Sequence, residues 1–474
     1  MITPAAQSLF DKLWASHQVA QVGESPEDAQ DLIYIDRIFL HERTGSIALK
    51  SLQEMGRKVK DPARVFCTLD HVVDTFPGRG DDTLIPFGRD YITTTRSACR
   101  SANIRLFDID DPWQGISHVI AAELGIVLPG LSTVCPDSHT CTLGAMGALA
   151  IGIGTSEAEH ALATNTLQFY KPPSMRLVCK GTLQQGVSAK DLALHLIAHY
   201  GSRGGKGCAV EFAGPAIKAL ELEARYTLCN MAAEFGAFTA VIAPDEKVFT
   251  ALRGTGYAPS GDNWDRAVSY WRSLGSDAGA HFDTEYEIDA AVVKPMVSWG
   301  TSPQHSIAID QTIPDPDEQE DAAVADAMRK ALGYQDLHAG DKLRGLPIDA
   351  AFIGSCTNAR LSDLRSAAQI VHGRKVAGGI RAIVVPGSQS VKRAAEAEGL
   401  DEIFQGAGFE WRESGCSMCF HAGGETFGAE KRVISTTNRN FEGRQGPGTR
   451  THLASPAVVA ASALAGCVSS PPAV

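Results

Sequence analysis

Leu9, Phe10, Leu13 and Trp14 recur at helical spacing, so residues 7–19 are expected to form an amphipathic helix. The polar residues 23–30 read as a loop. The apolar run 32–36 reads as a short buried strand, with 37–42 after it and a helix around 46–55 next. A second strand, 64–69, runs straight into Asp70-His71, and polar residues at the carboxyl end of a strand are typical of sites in open α/β sheets. Residues 74–89 are rich in Gly, Pro and Asp and read as an exposed loop. A helix over 91–102 and a strand over 104–107 follow. The apolar run 127–134 leads into Cys135-Pro136-Asp137-Ser138-His139-Thr140. The Gly/Ala-rich run 144–154 permits close backbone packing, and 157–169 reads as a helix. Beyond it come a strand over 175–180, a helix opened by Ser188-Ala189-Lys190-Asp191, a helix over 322–332 and a strand over 432–436. The Ser188/Asp191 pair has the spacing of a capping box with Asp in place of Glu. Alternation of strand and helix along the chain implies several α/β units.

A chain of 474 residues exceeds one hydrophobic core. Lys171-Pro172-Pro173 and the acidic, Pro-containing stretch 313–321 suggest boundaries. They give a first α/β domain with its N-terminal helix over 1–172, a second over 173–312, and a third over 313–474 that ends in a short tail, 469–474, expected to fray. A net charge of -12 argues against a nucleic-acid partner. The start of the chain has no basic, apolar leader, and no apolar run is long enough for a membrane span. Eleven irregularly spaced cysteines without a leader point to a reducing cytoplasm.

Several residue sets could carry chemistry. His195 and His199 lie four apart on one helix, but Leu196 stands where a zinc protease has Glu, so a helix surface is expected. Residues 201–207 fail as a phosphate loop, because Gly207 replaces the required Ser or Thr, and read as a turn. Asp70-His71, His118 and Asp137-Ser138-His139 each fall near a strand end, and carboxylate–imidazole pairs position protons. Asn438-Arg439-Asn440-Phe441-Glu442-Gly443-Arg444 brings two guanidiniums five positions apart, suited to a di-acid. Cys416 and Cys419, with Cys356 some way upstream, form a set of three thiols. Such a set fits an iron–sulfur cluster with one iron open, a zinc site, or redox-active or structural thiols; the spacing alone leaves these open.

Gly-Ser-Cys-Thr-Asn at 354–358, Gly-Cys-Ser-Met-Cys at 415–419, the 438–444 segment and Asp-Ser-His-Thr at 137–140 together resemble the aconitase superfamily, over about residues 7–466. The resemblance implies three α/β domains around a central [4Fe-4S] cluster held by Cys356, Cys416 and Cys419. It implies that Asp70, His71, His118, Asp137, His139 and Glu234 are catalytic and that Ser138, Asn230, Asn438, Arg439 and Arg444 bind substrate. The implied reaction is hydro-lyase chemistry on a small di- or tricarboxylate. A 2-alkylmalate is expected, 2-isopropylmalate foremost, with 2-methylmalate, dimethylmaleate and homoaconitate as alternatives. His71 with Asp70 would protonate the departing hydroxyl, and His118, His139 and Glu234 would handle the water. A fourth, swivelling domain is expected on a separate small subunit. An iron–sulfur redox protein is the alternative of another class, but a purely redox cubane usually has four Cys ligands. Four places depart from the family pattern: Gly45-Ser46, Val72-Val73, Cys135-Pro136 and Leu143. They bear on the substrate and not on the cluster.

Overall fold

The computed structural model describes residues 5–23, 25, 28–421 and 424–472. The expected loop 23–30 and tail 469–474 lie partly outside the described residues. The chain divides into two compact units, one made of residues 1–70, 89–181 and 205–289, the other of 71–88, 182–204 and 290–474.

The first unit holds a parallel five-stranded sheet in the order Arg105–Phe107, Val65–Thr68, Arg37–His41, Ser132–Cys135, Leu149–Gly152. The chain steps outward from the central strand Arg37–His41 twice, then returns to its other side. That reversal makes a crevice at the carboxyl ends of the two strands flanking it, the usual place for a ligand in an open α/β sheet. A parallel four-stranded sheet follows, ordered Thr239–Val241, Ala209–Ala213, Ser174–Lys180, Thr284–Asp289. A small antiparallel sheet joins Gln18–Val22, Gln30–Tyr34 and Thr166–Phe169.

The second unit repeats the first topology. Its parallel sheet runs Phe409–Trp411, Arg381–Val384, Ala350–Ile353, Arg432–Ser435, Arg450–Leu453, reversing between Ala350–Ile353 and Arg432–Ser435. Its central strand Ala350–Ile353 is buried throughout and reads as an apolar run, as a strand of a covered parallel sheet does. Helices Leu361–Val371 and Pro456–Ala465 share one core with this sheet, through Leu364, Ala367, Val458 and Val459 against Ala351, Ile353 and Ile434.

Three elements differ from the sequence reading. The helix expected over 7–19 ends at His17, and Gln18–Val22 is a strand. Residues 37–42 contain the central strand Arg37–His41, which a preceding apolar run had masked. The helix expected over 157–169 is shorter, Thr155–Thr164. Asn165 ends it with φ 57°, a left-handed cap that Asn tolerates, and Thr166–Phe169 then pairs with Gln30–Tyr34. The capping box at Ser188/Asp191 is present on helix Ala189–Tyr200. His195 is half-buried and His199 exposed, their rings stacked at 6.3 Å on the helix surface.

Candidate active site

In the first unit, the sheet reversal gathers the carboxylate and imidazole groups. Glu42 follows the central strand and is fully buried; its carboxylate accepts the Asp70 N–H at 3.1 Å. Asp70 follows the neighbouring strand, and its Oδ2 accepts the Ser117 N–H at 2.9 Å. That bond caps the helix Ser117–Glu123, where a carboxylate complements the positive end of the dipole. The next residue, His118, is thereby aimed, with Nε2 3.1 Å from Asp137 Oδ1. The ring is buried and its nitrogens lack a well-aligned partner, as is common for catalytic groups that tighten only around a substrate.

Asp137, Ser138 and His139 lie in the turn after Ser132–Cys135. Asp137 Oδ1 also accepts the His139 N–H at 2.8 Å. His139 Nε2 is 2.9 Å from Glu234 Oε1, and Ser138 Oγ is 3.4 Å from His139 Nδ1. Glu234 sits just beyond helix Leu222–Met231. Asn230, on that helix, donates to Thr142 Oγ1 at 2.8 Å, and Thr142 Oγ1 donates to the His139 carbonyl at 2.6 Å. Asp137, Ser138, His139, Glu234 and Asn230 therefore form one connected network, with the His118 ring close beside Asp137. Imidazole–carboxylate pairs fix the imidazole tautomer and can pass a proton between ring and carboxylate.

In the second unit, Cys356 lies at the corresponding reversal, and Cys416 and Cys419 follow the edge strand Phe409–Trp411. Gly354-Ser355-Cys356 follows the central strand Ala350–Ile353, and Thr436 follows Arg432–Ser435. Thr436 Oγ1 ties the two ends together, bonding Gly354 N and Gly354 O at 2.9 Å each. Cys356, Cys416 and Cys419 are all buried, and none of the eleven cysteines is in a disulfide. Asn438 Nδ2 donates to Cys356 Sγ at 3.4 Å, and Arg444 Nη2 to Cys419 Sγ at 3.6 Å. Ser355 Oγ lies 3.1 Å from Cys419 Sγ. An amide and a guanidinium aimed at sulfur suit thiolates, so the donor set fits a metal–sulfur group.

Ser355 and Ser417, next to Cys356 and Cys416, have φ of 79° and 46°. Strain of this kind in non-glycine residues is stored where the backbone is held for a purpose. His71 is half-buried, just past Asp70 in the chain, and Arg439 is half-buried beside Asn438. Glu42 and Ser355 were not foreseen. Ser355 stands inside the recognised Gly-Ser-Cys-Thr-Asn run, but nothing local marks Glu42, whose partner lies 28 residues away.

The model of the Aconitase family (aconitate hydratase) matches residues 11–466, and the chain belongs to that family. The resemblance read from the motifs is borne out. The 3-isopropylmalate dehydratase large subunit 1 of Bradyrhizobium diazoefficiens is 49% identical over 468 residues, covering 99% of this chain and 97% of that protein. Among solved structures, Thermococcus kodakaraensis aconitase X in its holo-form matches with a TM-score of 0.47 and 14% identity, over 86% of this chain and 84% of that one. No helix among the described residues is long and apolar enough to cross a membrane.

Proposed function

We propose that the chain is the large subunit of an iron–sulfur hydro-lyase that converts 2-isopropylmalate to 3-isopropylmalate through 2-isopropylmaleate, a step of leucine biosynthesis. The observation that carries this reading is the 49% identity to a 3-isopropylmalate dehydratase large subunit over nearly the full length of both chains. Cys356, Cys416 and Cys419 would hold a [4Fe-4S] cluster. Bound there, the cluster would supply an open iron acting as a Lewis acid toward a carboxylate and a hydroxyl.

The chain's own residues do the rest. His71 with Asp70 is the proposed proton donor to the leaving hydroxyl. The His139 Nε2–Glu234 and His118 Nε2–Asp137 pairs hold and move the protons of the water that leaves and returns. Arg439 and Arg444 neutralise substrate carboxylates, and Ser138, Asn230 and Asn438 orient the substrate. Residues 1–172, 173–312 and 313–474 are proposed as three domains, and each range contains one of the three parallel sheets. A separate small subunit is the proposed partner and the cytoplasm the proposed compartment.

The four departures from the family pattern leave both isopropylmalate and another alkylmalate open, and isopropylmalate is preferred on the sequence identity. Gly45, Ser46, Val72, Val73, Cys135, Pro136 and Leu143 are all buried. They bear on packing before they bear on a substrate contact. Anaerobic reconstitution with iron, sulfide and the small subunit, followed by comparison of 2-isopropylmalate, 2-methylmalate, 2,3-dimethylmalate and homocitrate, tests the assignment. Isopropylmalate is expected to be dehydrated with the highest kcat/KM. A preference for a smaller alkylmalate would overturn the substrate and leave the chemistry standing.

A further inference from the structure

Lys190 is fully buried, at the second position of helix Ala189–Tyr200. Both circumstances are adverse for an ammonium. The helix start carries positive partial charge, and a buried charge is costly unless it is well hydrogen-bonded. Its Nζ donates to the Thr436 carbonyl at 2.9 Å and the Thr437 carbonyl at 2.6 Å. Those carbonyls end the chain's exit from strand Arg432–Ser435, immediately before Asn438 and Arg439.

The helix end that carries the ammonium is itself rigid. Ser188 and Asp191 cap it reciprocally, and Asp191 Oδ1 accepts the Met296 N–H at 2.8 Å. The far side of the turn is pinned by Asn440, whose Nδ2 donates to Gly300 O at 2.6 Å, Ser298 Oγ at 3.0 Å and Thr451 O at 3.1 Å. Asn438 and Arg439 thus lie between two anchors, and Asn438 reaches Cys356 Sγ from there.

We propose that Lys190 is a positioning residue, whose ammonium grips the Thr436 and Thr437 carbonyls and so sets the aim of Asn438 at the Cys356 sulfur and of Arg439 at a substrate carboxylate. The part concerning substrate rests on the hydro-lyase reading above. A lysine suits the task because its donors can reach two carbonyl oxygens at once, whereas an apolar side chain of similar length fills the space and binds neither.

Lys190→Met and Lys190→Arg variants of the reconstituted complex test this. In Lys190→Met, amide hydrogen exchange should quicken across residues 436–440 and not across helix Ala322–Gln335. The EPR signal of the oxidised cluster should shift or broaden. The melting temperature should be held, and kcat should fall by about a hundredfold, the scale of an ångström-sized misplacement. Lys190→Arg, which keeps donors for the carbonyls, should recover part of the exchange protection and of kcat. Faster exchange throughout the chain with a lowered melting temperature would reduce Lys190 to a packing role. Unchanged exchange over 436–440, or unchanged kcat, would overturn the proposal. A wild-type complex inactive on every alkylmalate would instead sink the hydro-lyase reading, and exchange and EPR would still decide whether Lys190 aims the turn.

Discussion

His139 and Glu234 show how much depends on single contacts. The 2.9 Å link between His139 Nε2 and Glu234 Oε1 joins a ring nitrogen directly to a carboxylate. Glu234→Gln keeps a hydrogen bond and removes the charge. It should lower kcat by about a hundredfold or more while iron and sulfide content stays at the wild-type level; normal turnover would remove the pair from the reaction. His452 illustrates the opposite use of an imidazole. Burial, helped by the Arg432 guanidinium, pushes its pKa down to about 3. Nδ1 donates to Ser298 O at 2.7 Å and Nε2 accepts from Arg432 Nη1 at 2.8 Å, a neutral ring. His305 is pushed down to about 4 by burial alone. The unfolded chain takes up these protons below about pH 6.5 and the folded chain does not. Their stabilisation is therefore complete above that pH and lost as pH falls toward 3 to 4, at up to about 1.4 kcal/mol per pH unit for each ring. Denaturant unfolding of the wild type and His452→Gln from pH 7.5 to 5 should give the variant the shallower slope; equal slopes would contradict the neutral-ring description.

Elements position these residues through close backbone contacts. The Gly/Ala-rich run reads in the sequence as a place for close packing, and the structure says what packs there. A Cβ on Gly144 would overlap the carbonyl oxygen of Ala240 in strand Thr239–Val241, and one on Gly152 would come 2.6 Å from the carbonyl oxygen of Asp137. Neither neighbour is a flexible side chain. Gly144→Ala should therefore destabilise the fold by about 1–3 kcal/mol, read as a lower denaturant midpoint, and an unchanged midpoint would mean that the contact is not close. Periodicity revealed most elements but not the central strand Arg37–His41. A parallel strand buried by its neighbours carries no alternation to mark it, and the polar Arg37 and His41 at its ends look like loop. The end of helix Thr155–Thr164 was missed for another reason. Only the left-handed Asn165 and the pairing of Thr166–Phe169 with a distant strand stop it, and pairing is a tertiary fact.

Taken as a whole, the molecule uses one strand order twice, once to present imidazoles and carboxylates and once to present thiols. Cys356, Cys416 and Cys419 were picked out as a set through the family resemblance of the short runs they stand in, the spacing alone leaving other uses of the thiols open. Asp70 and Asp137 were legible as polar residues at strand ends, and His118 as a histidine beyond the loop that follows one. Glu42, Ser355 and Lys190 were not, because each acts through a neighbour that only folding supplies: the Asp70 amide, the Cys419 sulfur and two carbonyls at 436 and 437. The most direct test of the central claim follows isomerisation of 2-isopropylmalate by the anaerobically reconstituted chain with its small subunit, for the wild type and Cys416→Ser, before and after iron chelation. Turnover should require iron, stop on its removal, return when iron is restored, and be lost in Cys416→Ser with a fall in bound iron and sulfide. Turnover that survives chelation and the loss of Cys416, or none at all from a complex with its cluster intact, would contradict the account.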